Sequence, residues 1–182
     1  MAIVKHLDTI KSWLEKEICS QFEFKQANDE NVDASYKYKL VNPSVFILYV
    51  PPSELLAEDE SRVPSICIQF DDGQESLTEE GGTLSVRLQF SVFNPGLHSE
   101  EGYKRNTEGW RDVWNLIDYT MERIRNTELI NGLRIVKESG IKCGPIQDNG
   151  QIPNFYPYYF AWINFSVEYG IPESKKDIKH LL

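Results

Sequence analysis

Between Thr83 and Asn94 apolar and polar positions alternate without a break. Leu84, Val86, Leu88, Phe90 and Val92 fall on one side, and Thr83, Ser85, Arg87, Gln89 and Ser91 on the other. A period of two over this length predicts a half-buried β-strand, long enough to be the spine of a sheet. The alternation returns from Tyr158 to Tyr169, with Tyr159, Ala161, Ile163, Phe165 and Val167 on one face and Phe160, Trp162, Asn164, Ser166 and Glu168 on the other. The two strands are expected to pair, because each must bury one face and they can share a core. Shorter β-prone runs occur at Ser44 to Val50 and Ser65 to Phe70, each led by a proline, and Tyr36, Tyr38 and Leu40 alternate with Lys37 and Lys39. LRIVKES, after the Asn131-Gly132 turn signal, is a further strand candidate.

Two stretches change the period to that of a helix. Ile3, Leu7, Ile10, Trp13, Leu14 and Ile18 make one apolar stripe. Trp110, Val113, Trp114, Ile117, Met121 and Ile124 make another, with Asn106 or Thr107 placed to cap its start. Both stripes need a sheet to lie on. The expected fold is α+β: a mainly antiparallel sheet with long central strands, covered on one face by two amphipathic helices. One domain over 1–170 and a charged C-terminal tail over 171–182 are expected.

The remaining segments are expected to be connections. Residues 26–33 and the HSEEGYKR stretch after Asn94-Pro95-Gly96 are polar without a period, and 140–153 is punctuated by Gly and Pro. SELLAEDESR, from Ser53, is a short helix or an acidic loop. Between Asp71-Asp72-Gly73 and Gly81-Gly82 a hairpin loop of about eight to twelve residues is expected. It would carry Asp71, Asp72, Glu75, Glu79 and Glu80, the densest ionisable group in the chain.

Composition narrows the function classes. At 182 residues the length suits one domain. A formal charge of −9 opposes loose binding to nucleic acid or anionic membranes. The start, MAIVKHLDTIKSW, is charged from its fifth residue and has no long apolar run, so neither a signal peptide nor a membrane span is expected. Cys19, Cys67 and Cys143 lie far apart with no CxxC, which reads as reduced thiols in a cytoplasmic product rather than a zinc site. DDGQESLTEEGG does not follow the EF-hand spacing, so the acidic group reads as a solvated loop rather than a calcium site. His6, His98 and His180 have no partner at ligand spacing, and neither a nucleophile elbow, GxGxxG nor GxxxxGK[ST] occurs. No metal, no cofactor and no enzyme activity are expected.

The aromatic residues are more informative. Trp110 and Trp114 sit on the helix stripe and are expected in the core, although with Trp162, Phe93 and Phe160 they could also form a stacking platform. Phe93, Phe160 and Trp162 fall on the strand faces opposite the expected core. Large apolar side chains there suggest a further covering layer or a contact between subunits.

The order of elements is an amphipathic helix, a Pro-led strand (PSICIQF) joined through an acidic loop to a long strand (GTLSVRLQFSVFNPG), a helix (WRDVWNLIDYTMERIRN) and a last aromatic strand (YYFAWINFSVEYG). This order resembles the tail terminator, or tail completion, proteins of tailed bacteriophages and prophage-derived particles, over Ile3 to Gly170. The resemblance implies a non-enzymatic virion protein whose protomers close into a six-membered ring on the head-proximal end of the tail tube. That ring would stop tube growth and offer the surface on which the head-tail connector protein docks, with DNA only passing through the lumen. It also implies assembly in the bacterial host cytoplasm and a final place in the virion tail or a tail-like particle. In such a ring the acidic loop would face the channel or a neighbouring protein. Other readings are another ring component, a connector or tube protein, and a small-molecule or peptide-binding module using the aromatic sheet face.

Overall fold

A computed structural model of the protein describes residues 3–27, 39–76, 81–99 and 102–170. Helix α1 (Ile3–Glu17) is followed by the short strands β1 (Phe24–Lys25) and β2 (Leu40–Val41) and by β3 (Ser44–Ile47). Two long strands come next, β4 (Ser65–Glu75) and β5 (Gly82–Phe93), then the β6 (Gly96–Ser99) and β7 (Gly102–Arg105) hairpin and helix α2 (Gly109–Asn126). The chain closes with β8 (Leu129–Ile130), β9 (Leu133–Ile135), β10 (Lys142–Pro145) and β11 (Tyr158–Tyr169). Among the described residues no helix is long and apolar enough to cross a membrane.

The main sheet runs β3-β4-β5-β11-β9-β8, with β10 also paired to β11. Every pairing in it is antiparallel except β3 with β4. The expected central pair forms without interruption from Tyr158↔Phe93 to Tyr169↔Gly82. Its inward face is buried along most of its length: Leu84, Val86, Leu88, Phe90, Val92, Ala161, Ile163 and Val167 are all 0 % exposed, and Tyr159 at one end is partly buried. Both helices contribute to the core on that face, α1 through Leu7, Ile10, Trp13 and Leu14 and α2 through Val113, Leu116, Ile117 and Ile124. The fold is α+β, with a mostly antiparallel sheet and two helices. Arg123 reaches Glu17 in an ion pair that ties one helix to the other.

Several expectations need correction. Trp110 is 47 % exposed: the first turn of α2 meets β11 through the buried Gly109, against Tyr159, while Trp110 lines a surface hollow together with the 152–156 segment. The buried arc of α2 instead takes in Leu116 and Thr120; the Thr120 hydroxyl is satisfied by donating to the Leu116 carbonyl at 2.7 Å. Trp114 and Met121 are only partly buried and pack against the core's border. The helix is not capped by a side chain: Glu108 holds the N-cap position, and the Asn106 side chain accepts the Glu108 N–H at 3.1 Å one step earlier.

The described residues of HSEEGYKR, 98–99 and 102–105, lie in the paired strands β6 and β7, and 140–153 contains β10. Both are short and polar, so they pair through backbone groups without leaving an apolar period. The acidic loop is also shorter than expected. β4 continues through Asp71, Asp72 and Glu75, because β5 offers it a ladder as far as Gly82. Tyr36 and Tyr38, most of 26–33, Glu79, Glu80 and the 171–182 tail lie outside the described residues.

Candidate interaction face of the sheet

Alternation along the three longest strands places a second set of side chains on the face away from the helices. Register aligns them in rows: Ser65, Ser91 and Phe160; Cys67, Gln89, Trp162 and Gly144; Gln69, Arg87, Asn164 and Lys142. Among the described residues neither α1 nor α2 covers these rows. Phe160 and Trp162 are half-buried, as a second face with partial cover requires.

Trp162 lies flat across its neighbour because that neighbour is glycine: a Cβ on Gly144 would stand 3.2 Å from the indole. The indole N–H donates to the Pro145 carbonyl at 3.1 Å, and the Arg87 guanidinium sits 5.5 Å from the ring centroid. Phe160 meets Phe155 edge-to-face at 5.4 Å. Phe93, expected on this open face, is only 2 % exposed and packs on Tyr158 at 5.3 Å, so it is a protomer contact and not a free one.

The acidic residues divide into two kinds. Register shifts between Phe70↔Val86 and Asp72↔Ser85, so Asp71 is the extra residue of a β-bulge. A bulge breaks the period of two, which sets Asp71 and Asp72 on the same, uncovered face. Asp71 forms an ion pair with Arg87 Nη2 at 3.0 Å and accepts a hydrogen bond from Asn164 Nδ2 at 2.7 Å. Asn164 also reaches the Ser85 hydroxyl at 3.3 Å, completing a polar network across three strands. Asp72 and Glu75 stand exposed beyond it. At the same end of β11, Glu168 holds Arg134 through two nitrogens at 2.9 and 2.5 Å, which raises the guanidinium pKa through hydrogen bonding and charge.

At the other end of the face a cavity of about 520 Å³ opens above Cys67, Gln89, Ser91 and Phe160, walled by Leu56 and Arg62. The Ser65 and Ser91 hydroxyls bond to each other at 2.7 Å in its floor. Burial pushes the Cys67 thiol up to about 11, so it stays protonated at neutral pH and is a poor nucleophile. A second, aromatic hollow of about 320 Å³ lies between Trp110, Trp114 and Phe155. Among the described residues no three His, Cys, Asp or Glu side chains come together as a metal site.

The sequence pattern located Phe160 and Trp162, whose place follows from alternation alone. It did not reveal that Arg87, Asn164 and Asp71 form one unit, although three polar residues on a strand face that also bears Trp162 were the available signal. No protein-family model matches the chain, and no curated protein matches it in sequence.

Proposed function

We propose that this chain is a non-enzymatic tail terminator, assembling into a ring that caps a phage or prophage tail tube and presents the docking surface for the head-tail connector. The observation that carries the reading is the one-sided cover of the sheet. Both helices pack on one face, while Phe160, Trp162 and the Arg87–Asp71–Asn164 network occupy the other, half-buried and available to a neighbour. A surface combining aromatic anchors with a polar rim suits a protein contact. The order of strands and helices supports the same family, and the acidic balance suits a ring through which DNA must pass without adhering. Its partners are then its own copies, the tube protein and the connector protein, in a virion tail or tail-like particle put together in the host cytoplasm.

Purified tails decide it. Tubes incubated with the protein should carry a ring at one end in electron micrographs and lose the ability to elongate. Tubes that stay bare and keep growing at saturating protein would reject the reading. The 520 Å³ cavity favours a second reading, a small-ligand module, in which the protein stays monomeric and a ligand raises its melting temperature.

A further inference from the structure

Among the described residues, three large apolar side chains that stand exposed fall in one short segment. Leu48, Tyr49 and Leu55 are between 53 and 72 % exposed, and Glu54, Glu58 and Asp59 of the same segment are exposed with them. The segment also has an inner side, because Val50, Ser53, Leu56 and Glu60 line the 520 Å³ cavity on the uncovered face of the sheet. Its apolar residues therefore divide, and one set is left outside. The turn that begins it is strained: Leu48 has a φ of +70°, and the Tyr49 N–H closes a three-residue turn on the Ile47 carbonyl at 2.9 Å. Such a conformation costs free energy in a residue other than glycine, and here it begins an apolar shelf rimmed by carboxylates.

A complementary surface lies on the same chain. Among the described residues β6 and β7 pair only with each other, apart from the main sheet. Leu97 and Lys104 are cross-strand partners in that pair, so an exposed apolar side chain and an exposed ammonium share one face of the hairpin. Arg105, also exposed, follows directly. Glu100 and Glu101 lie outside the described residues.

We infer that the β6–β7 hairpin of one protomer seats on the 48–60 shelf of the next, Leu97 against Tyr49 and Leu55, with Lys104 among Glu54, Glu58 and Asp59. The inference rests on the ring reading above and names its joint. Position supports a contact between copies. The base of the hairpin is tied to α2, on the covered side of the sheet, where Asn94 donates to Asp112 at 2.6 Å. The shelf instead borders the cavity on the uncovered side. Two different patches that match each other make a head-to-tail contact, the kind that repeats around a ring.

Charge selects the occupant. In a chain with a formal charge of −9, a shelf rimmed by carboxylates is repelled by most of the surface of another copy. The hairpin face is an exception, since it offers an apolar side chain beside a basic one. Shelf against shelf would crowd carboxylates together, whereas hairpin on shelf sets opposite charges around an apolar centre, the arrangement of a specific interface.

The test is a charge exchange. Lys104→Glu with Arg105→Glu should weaken self-association by about tenfold or more in sedimentation, as should Glu58→Lys with Asp59→Lys, while urea midpoints stay near that of the parent protein. Combining all four substitutions should restore association, which a purely structural role for either patch would not do. In a Cys143→Ser background, Leu97→Cys with Leu55→Cys should give, on oxidation of concentrated or tube-bound protein, a ladder of covalent multimers ending at the ring. Rings that form as readily with either reversed pair as with the parent would overturn this joint and leave the terminator reading intact. Failure to cap tubes confined to the Glu58→Lys, Asp59→Lys protein would overturn it too, giving the shelf to a basic segment of the tube or connector protein. Covalent dimers from Leu97→Cys alone or Leu55→Cys alone would replace the head-to-tail contact with a two-fold one. Protein that stays monomeric both in solution and on tails would overturn the joint and the ring together.

Discussion

Arg87 and Asp71 meet across the β4–β5 pair at 3.0 Å, and Asn164 from β11 donates to the same carboxylate oxygen at 2.7 Å. Asp71 is thus spent on its own sheet. Asp71→Lys should lower stability by about 1 to 2 kcal/mol, since it replaces an acceptor for two donors with a like charge beside Arg87. Asp72→Lys, at an exposed position, should stay within about 0.5 kcal/mol of the parent protein. Urea midpoints of the two variants check the distinction, and equal shifts would show that the network contributes nothing.

The helix offers a second contrast. Ile117→Ala removes a fully buried side chain and should cost about 2 to 5 kcal/mol, whereas Trp110→Ala, at a 47 % exposed site, should cost less than about 1 kcal/mol. Denaturation curves that reversed this order would place α2 the other way round on the sheet.

Gly109→Ala tests a close approach. Alanine normally favours a helix over glycine by about 1 kcal/mol. Here its Cβ would run into the Tyr159 ring, which β11 holds in place. The expected net effect is a loss of about 1 to 3 kcal/mol, the usual range for overpacking. A melting temperature above that of the parent would show that Tyr159 moves aside freely.

Thiol reactivity should separate the three cysteines. Cys143 is exposed, while Cys19 and Cys67 are buried and their thiols are pushed up to about 12 and about 11. A disulfide reagent near pH 8 should modify one thiol per native chain quickly, and all three after denaturation. Because both folded values lie above the ordinary thiol value of 9.0, the buried thiols add stability that is present below about pH 9 and is lost as pH climbs towards 11 and 12. Rapid modification of more than one native thiol would contradict the packing around α1 or β4.

The parts of the fold legible in the sequence are those in which one face is wholly apolar. β5 and β11 alternate to their ends because the helices bury one side of both, and their register follows from that requirement. The bulge was not legible, since Asp71-Asp72-Gly73 has the composition of a turn and one inserted residue hides the continuing period. β6, β7 and β10 are held by backbone pairing that leaves little trace in side-chain type. The candidate face was half legible: alternation set Phe160 and Trp162 outward, but a contact between Asp71 and Asn164 joins residues on separate strands of the fold. Phe93 misled because alternation assigns it to the open face, while Tyr158 covers it there.

The β5–β11 register has a consequence for synthesis. β5 is complete at Phe93, yet the strand that pairs with it from Tyr158 onwards emerges only after 65 further residues, the difference between those two positions. At about 5–20 residues per second that interval is roughly 3 to 13 seconds. Throughout it, β5 has β4 on one side and nothing on the other. The nascent chain therefore passes through those seconds with its most apolar ribbon half paired, the condition in which an unpaired strand edge is most open to association with another chain.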